Sequence, residues 1–298
     1  MTDRAVASLV EDAVGRTVER VVRIGQDHGF SGRVFRVHLA DGTTAVAKTD
    51  APAVIAGEMR ARRRVGDLLG PSIPRALGAA TEGDLGVIVM ADVTPARQGD
   101  WIDGCGAEDL AAVLAVLGRL HGGTLVDEPW TMEPWPRERW HARVRGAAER
   151  FPALFGGDVR IWLLDEYPLR FAASVERLAA GPIATIHGDA HLDNVLWRPD
   201  GSAVLLDWNH HRPAPPALDL ASLLPDRPLT DPGPYREAFG GPEADTVVDL
   251  LGDARVVSIR GIVGWAARDD VPIDHRRSIA SRDRAAEQVS GLIARLRR

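Results

Sequence analysis

The chain has 298 residues, 45% of them hydrophobic and 26% charged, with a formal net charge of −6. That is ordinary globular usage, enough for about two domains with large cores, and it excludes a disordered chain. The acidic balance argues against a nucleic-acid or anionic-membrane partner, no apolar run approaches the roughly 18 residues of a membrane span, and Cys105 is the only cysteine.

The N-terminus, Met1-Thr2-Asp3-Arg4-Ala5, has no basic-then-apolar leader, so a cytoplasmic location is expected. In chain order, Val18 to Ile24 and Gly32 to Leu39 are β-rich, Ala40-Asp41-Gly42 is a turn signal, and Thr43 to Lys48 returns as a third strand. Ala51 to Leu69 has helical character and ends before Pro71 and Pro74. Leu85 to Met90 reads as a short buried strand. Ala91 to Gly106 is polar and punctuated by Gly and Pro, as a linker would be. Leu110, Val113, Leu114, Leu117 and Leu120 then recur at helical spacing behind Glu108 and Asp109. Further helices are predicted over Arg139 to Glu149, Val159 to Ala180, Ala244 to Ala267 and Ser281 to Arg298. A small β-rich part therefore precedes a larger helical one.

Of the 36 lysine and arginine residues, Lys48 alone is lysine. Either it survived an arginine bias by chance, or it sits where a wide guanidinium fork cannot replace a compact ammonium. Its context must decide.

The densest polar cluster is Ile186-His187-Gly188-Asp189-Ala190-His191-Leu192-Asp193-Asn194, between apolar runs that predict two flanking strands. A further strand, Ala203 to Leu206, ends at Asp207-Trp208. Asp200-Gly201 is a two-residue hairpin signal of type I′. A turn on those two residues sets Asn194 directly opposite Asp207, with Cβ atoms roughly 5 Å apart. Two side-chain oxygens there could share one Mg²⁺. The competing reading of the same cluster is a metallohydrolase with His187, Asp189, His191 and Asp193 as ligands, which leaves Lys48 unexplained.

These residues carry a resemblance. The sequence resembles the aminoglycoside phosphotransferase and choline kinase group of small-molecule kinases, which share the protein-kinase fold. The group's H-G-D-x-x-x-x-N catalytic loop is matched by His187, Gly188, Asp189 and Asn194, and its magnesium aspartate by Asp207-Trp208. Its third-strand lysine is matched by Val46-Ala47-Lys48, preceded by Ala45, and the glutamate that pairs with that lysine by Glu58. Val87-Ile88-Val89-Met90-Ala91-Asp92 resembles the strand and hinge between the two lobes. Arg97 to Asp100, Gly104-Cys105 and Leu117 to His121 are similar to a bacterial branch that is itself like ecdysteroid kinases. The likeness covers roughly residues 20 to 225. Two features depart from the protein-kinase pattern and count against a protein substrate: Gly188 stands where protein kinases carry arginine, and no A-P-E motif is found. The phosphate loop, Gly25 to Gly32, is not G-x-G-x-x-G.

The resemblance implies an α+β, two-lobed, protein-kinase-like fold. Residues 1–92 would form a small antiparallel sheet lobe with one helix, and residues 93–298 a larger, mainly helical lobe. It implies ATP or GTP with Mg²⁺, the nucleotide being held by Lys48, Glu58, Gly29, Ser31, Gly32, Met90 and Asp92. Asn194 and Asp207 would hold the metal and Asp189 would be the catalytic residue. His187 would brace the loop backbone. Asp219 would either prop that loop by hydrogen bonds or cap a helix, and His191 would either support the loop or touch the acceptor. The expected activity is phosphoryl transfer to a hydroxyl of a small molecule, an antibiotic or a metabolite. The alternatives are a metal-dependent phosphoesterase and a non-catalytic nucleotide-binding protein. No acidic run marks a polycation site, and nothing calls for an obligate protein partner.

Overall fold

A computed structural model describes residues 2–24, 33–100, 104–224, 228–268 and 291. Five strands, β1 (Val18–Ile24), β2 (Val34–Leu39), β3 (Thr44–Asp50), β4 (Ala76–Glu82) and β5 (Leu85–Ala91), pair antiparallel in the order β1-β2-β3-β5-β4. Side chains alternate across such a sheet, so its two faces take different covers. Phe35, Val37, Ala45, Ala47, Val87 and Val89 form one buried cluster with Val6, Leu9 and Val10 of helix α1 (Asp3–Val14). Val46 and Lys48 lie opposite Met90 and Ile88 on the other face, where Ile55 and Met59 of α2 (Pro52–Leu69) pack.

The expected one-helix lobe is corrected here, because α1 is a second helix on the sheet. Thr2 caps its start, with its hydroxyl accepting from the Ala5 amide, and Gly15 ends it at φ 66°. Its core spacing of Val6, Leu9 and Val10 is that of a helix, and it was readable in the sequence. Strand β4 adds a strand that its sequence does not announce, because its alanines and glycine carry little β signal.

The helical lobe follows β6 (Arg97–Gln98). It comprises α3 (Ala107–Gly122), β7 (Leu125–Val126), α4 (Arg137–Arg150), α5 (Pro152–Phe155), α6 (Gly157–Asp165), α7 (Tyr167–Ala179) and β8 (Ile183–Ile186). The hairpin β9 (Val195–Trp197) and β10 (Ala203–Leu205) comes next, followed by β11 (Arg212–Ala214), α8 (Ala217–Leu223), α9 (Gly233–Phe239), α10 (Glu243–Asp249) and α11 (Leu251–Ala266). The predicted helix over Val159 to Ala180 is two helices, because Pro168 has no amide to continue the first. The one over Ala244 to Ala267 breaks at Leu250. The predicted Ser281 to Arg298 helix lies outside the described residues. No described helix is long and apolar enough to cross a membrane.

One large core unites the helical lobe and reaches into the sheet lobe through Ala61, Val65 and Leu69 of α2. Helix α2 therefore touches both lobes and is the strut along which they meet. Two three-stranded sheets, β10-β9-β6 and β11-β8-β7, carry the loops of the polar cluster on top of this core.

Candidate active site

Lys48 is 6% exposed, on the β3 face that looks toward α2 and the helical lobe. Its Nζ donates to Glu58 Oε2 at 3.0 Å and to Asp207 Oδ1 at 2.6 Å. Burial alone would lower its pKa, but Glu58 and Asp207 outweigh it and hold the ammonium above its ordinary value. Glu58 is fully buried on α2, and its second oxygen accepts from Arg62, one turn later, at 2.7 Å. Arg62 also donates to the Pro74 carbonyl at 2.8 Å. The four charges form a chain Arg62–Glu58–Lys48–Asp207, buried up to the half-exposed Asp207 and two of each sign, so no charge is left uncompensated.

Asp207 follows β10 and has φ 56° and ψ 73°, the only positive φ outside glycine among the described residues. That conformation is uncommon outside glycine, and aspartate is one of the few other residues that adopt it. The hairpin that delivers it differs from the expectation. Val195 pairs with Leu205 and Trp197 with Ala203, so Asn194 stands opposite Leu206, one residue out of the predicted register with Asp207. The cause is Pro199. It suits the second position of a type I turn, which runs Arg198-Pro199-Asp200-Gly201 and closes with Gly201 N–H donating to Arg198 O at 2.9 Å. Gly201 alone takes positive φ, as a three-residue loop with a glycine bulge requires. The left-handed Asp207 then turns its carboxylate toward Lys48.

Asp189 lies in the loop between β8 and β9. Its Oδ2 accepts from Asn194 Nδ2 at 3.1 Å and lies 3.4 Å from His191 Nε2. Asn194 Nδ2 also donates to the Asp189 carbonyl at 2.9 Å, so side chain and backbone of Asp189 are held together. Burial would raise this carboxyl, but His191, with His210 and His187, holds it down to about 2. Burial would likewise lower His191, but the bond to Asp189 wins and raises it. A raised histidine stabilises the fold fully below its unfolded value near 6.5, and that contribution is lost as pH rises through the folded value. The stability difference between the native chain and His191→Gln should therefore shrink as pH rises past neutrality. Urea midpoints at several pH values measure it, and a difference that grows with pH contradicts the pairing.

His187 is fully buried, and both of its ring nitrogens engage backbone: Nε2 with Leu206 O at 2.6 Å, and Nδ1 with the Asp189 amide at 3.3 Å. It thereby ties the Asp189 loop to the residue before Asp207. Burial lowers its pKa, so the neutral ring is favoured. Asp219, fully buried on α8, accepts from the amides of His187 at 2.7 Å and Gly188 at 2.8 Å. Gly188 has φ 82°, and a Cβ there would collide with the His210 carbonyl. Gly188→Ala should cost at least about 1–2 kcal/mol from the left-handed backbone alone. An unchanged urea midpoint would refute the clash.

Met90 shares the Lys48 face of the sheet and packs with Ile55 and Ile88. The Asp92 carboxylate is engaged by Arg36 Nε at 2.7 Å and by the Thr94 amide at 3.1 Å. Gly29, Ser31 and Gly32 lie outside the described residues. The structure thus brings Lys48, Glu58 and Asp207 into one ion-pair chain, and Asp189, His191 and Asn194 into one hydrogen-bonded group. His187 links the two. Sequence reasoning missed Arg62, although its i+4 spacing from Glu58 is a visible helix-pair signal, and it missed Arg36.

Among the described residues no three His, Cys, Asp or Glu are arranged to hold a metal. The hydrolase reading needs His187 as a ligand, and its ring nitrogens are already engaged. A Mg²⁺ that takes one carboxylate and one carboxamide oxygen from protein and the rest from phosphates needs no such trio. Asp207 and Asn194 offer that donor set.

The sequence profile of the phosphotransferase enzyme family matches residues 24–246. No curated protein sequence matches the chain. Among solved structures, an aminoglycoside phosphotransferase from Alicyclobacillus acidocaldarius is similar at 19% identity and a TM-score of 0.57, over 100% of this chain and 96% of its own. A choline kinase from Streptococcus pneumoniae is similar at 15% identity and 0.58, over 98% and 97%. The AMP-bound complex of a spectinomycin phosphotransferase is similar at 12% identity and 0.62, over 99% of both chains. At these identities the likeness is one of fold.

Proposed function

The chain belongs to the phosphotransferase enzyme family, and from that premise we propose that it moves the γ-phosphoryl group of ATP or GTP to a hydroxyl of a small molecule, an antibiotic or a metabolite. The observation that carries this reading is the Lys48 ammonium clasped between Glu58 and Asp207. Neighbours of the same fold, crystallised with AMP and with GDP, support nucleotide binding.

Phosphoryl transfer demands positioning and charge neutralisation more than covalent help. Lys48 is the compact cation for the nucleotide phosphates, and Glu58, itself fixed by Arg62, keeps its stem straight. Asp207 and the Asn194 amide oxygen are the residues that would hold Mg²⁺. A bound Mg²⁺ supplies neutralising charge to the phosphates. Asp189 orients the acceptor hydroxyl and accepts its proton, a role that suits a carboxylate ionised at every working pH. Met90 borders the nucleotide base, and residues 1–92 and 93–298 act as the two lobes of the site. The Asp92 side chain serves the hinge through Arg36 and Thr94. A single cysteine in the chain and a net charge of −6 are in keeping with cytosolic work on small substrates.

A mass-spectrometric screen of pooled antibiotics and metabolites tests the proposal. An ATP-dependent gain of one phosphoryl group is expected. Nucleotide-dependent thermal stabilisation in Mg²⁺ without any turnover would instead mark a binding protein, and no stabilisation by either nucleotide would overturn the reading.

A further inference from the structure

Tyr235 lies outside the motifs that carry the resemblance, yet it is joined to the Asp189 loop by an unbroken buried chain of hydrogen bonds. Tyr235 on α9 is 0% exposed, and its hydroxyl lies 3.0 Å from His121 Nδ1. His121, also 0% exposed, stands at the end of α3 with Nε2 3.1 Å from Asp219 Oδ2. That same oxygen accepts the His187 amide at 2.7 Å, and Oδ1 accepts the Gly188 amide at 2.8 Å. Asp189 is the next residue.

The direction of every bond is fixed by chemistry. An ionised carboxylate can only accept, so His121 Nε2 carries the proton. The Tyr235 hydroxyl hydrogen finds its acceptor at Nδ1 when Nε2 alone carries the ring proton. Burial, with the negative Asp219 nearby, pushes the phenol far above its ordinary range and keeps it a donor. All four groups are satisfied only in this arrangement, which selects one tautomer and one ring orientation for His121.

Helix α9 is placed for the contact. Gly118 and Gly122 of α3 face the backbones of Tyr235 and Phe239, and a Cβ at either glycine would run into a carbonyl there. The two helices therefore approach closely, and the His121 and Tyr235 rings meet edge to face at 5.8 Å. Resting on the phosphotransferase reading above, we infer that Tyr235 is a positioning residue, which acts through His121 and Asp219 to hold the backbone that aims Asp189.

Tyr235→Phe in the full chain keeps the ring and removes only the donor. The His121 lone pair is then buried without a partner, and the ring is no longer held in one orientation. Hydrogen exchange of the His187 and Gly188 amides should accelerate about ten-fold or more, while amides of β3 stay as they were. Phosphate release from Mg·ATP should fall about ten-fold in kcat with nucleotide Kd unchanged within about two-fold. His121→Gln should show the same deficit, and the double variant no greater one, because the two residues act as one unit.

Exchange that rises uniformly over the chain, or not at all at residues 187 and 188, would overturn the inference and leave Tyr235 a packing residue. The native chain offers a check that needs no variant: the ¹⁵N spectrum must show His121 protonated at Nε2, and protonation at Nδ1 would break the chain of donors. Failure of the native chain to bind nucleotide would overturn the phosphotransferase reading instead, and the exchange result would still decide whether Tyr235 controls the loop.

Discussion

Asp189→Asn is expected to lower kcat by about 10²–10⁴ while nucleotide affinity stays within a few-fold. The two carboxylate roles separate in the hydrogen-bond pattern. Lys48 takes Glu58 and Asp207, whereas the partners of Asp189 are His191 and Asn194. Removing the negative charge at position 189 therefore leaves the Lys48–Glu58–Asp207 chain intact. Asparagine keeps the shape and one acceptor oxygen, so the loop should still close on Asn194. The lost property is the negative charge that aims and polarises the acceptor hydroxyl. Held down to about 2, the native carboxylate is ionised throughout any working range. It should impose no acid limb near neutrality, and a fall in rate there would report the charge on His191, which is raised toward that range. Both constants can be measured on one preparation. Lost nucleotide binding with kcat preserved would make Asp189 a metal ligand and remove it from the role of base.

How much of this was legible depended on how local each signal was. The alternation in β2, β3 and β5, and the helical spacing in α2 and α3, lie within single segments, and the sequence shows them plainly. The polar loop from His187 to Asn194 is equally local. The hairpin register differs by one residue from the expected one because Asp200-Gly201 serves two turn types, and Pro199 selects between them. The side-chain direction of Asp207 depends on a left-handed backbone that no residue type at that position announces. His121 lies 98 residues from Asp219 and 114 from Tyr235, and all three are buried polar groups bonded to one another across the fold. Pattern and propensity act over a few residues, so a bond of that kind becomes visible only when the helices have packed. Arg62 is the intermediate case: the i+4 pair with Glu58 could be read, but its bond to the Pro74 carbonyl could not.

Lys48→Arg is the substitution that asks why one lysine stands among so many arginines. The two residues have the same charge, so Glu58 keeps a cationic partner in its buried site. The fold should survive with only a modest loss of stability. Lys48→Met is the contrast. It takes one of two cationic partners from a fully buried Glu58, and because Arg62 stays on the other oxygen the loss should fall below the cost of about 3–5 kcal/mol for leaving a buried charge uncompensated. Activity should not follow stability. A lysine head reaches both Glu58 at 3.0 Å and Asp207 at 2.6 Å from one nitrogen. A guanidinium is planar and wider, and its geometry favours a fork onto a single carboxylate, as Arg62 already makes on the other oxygen of Glu58. It would hold Glu58 and lose the point-charge position that the phosphates need. Removing one well-placed charge donor from a water-poor site costs about 10²–10³ in rate, and Lys48→Arg should lose at least that much. Because the chain has one ε-amine, an amine-reactive nucleotide analogue should label Lys48 and, in the arginine variant, no other side chain. Wild-type kinetics in Lys48→Arg, with folding intact, would mean that the lysine escaped the arginine bias by chance and that the phosphates are held elsewhere.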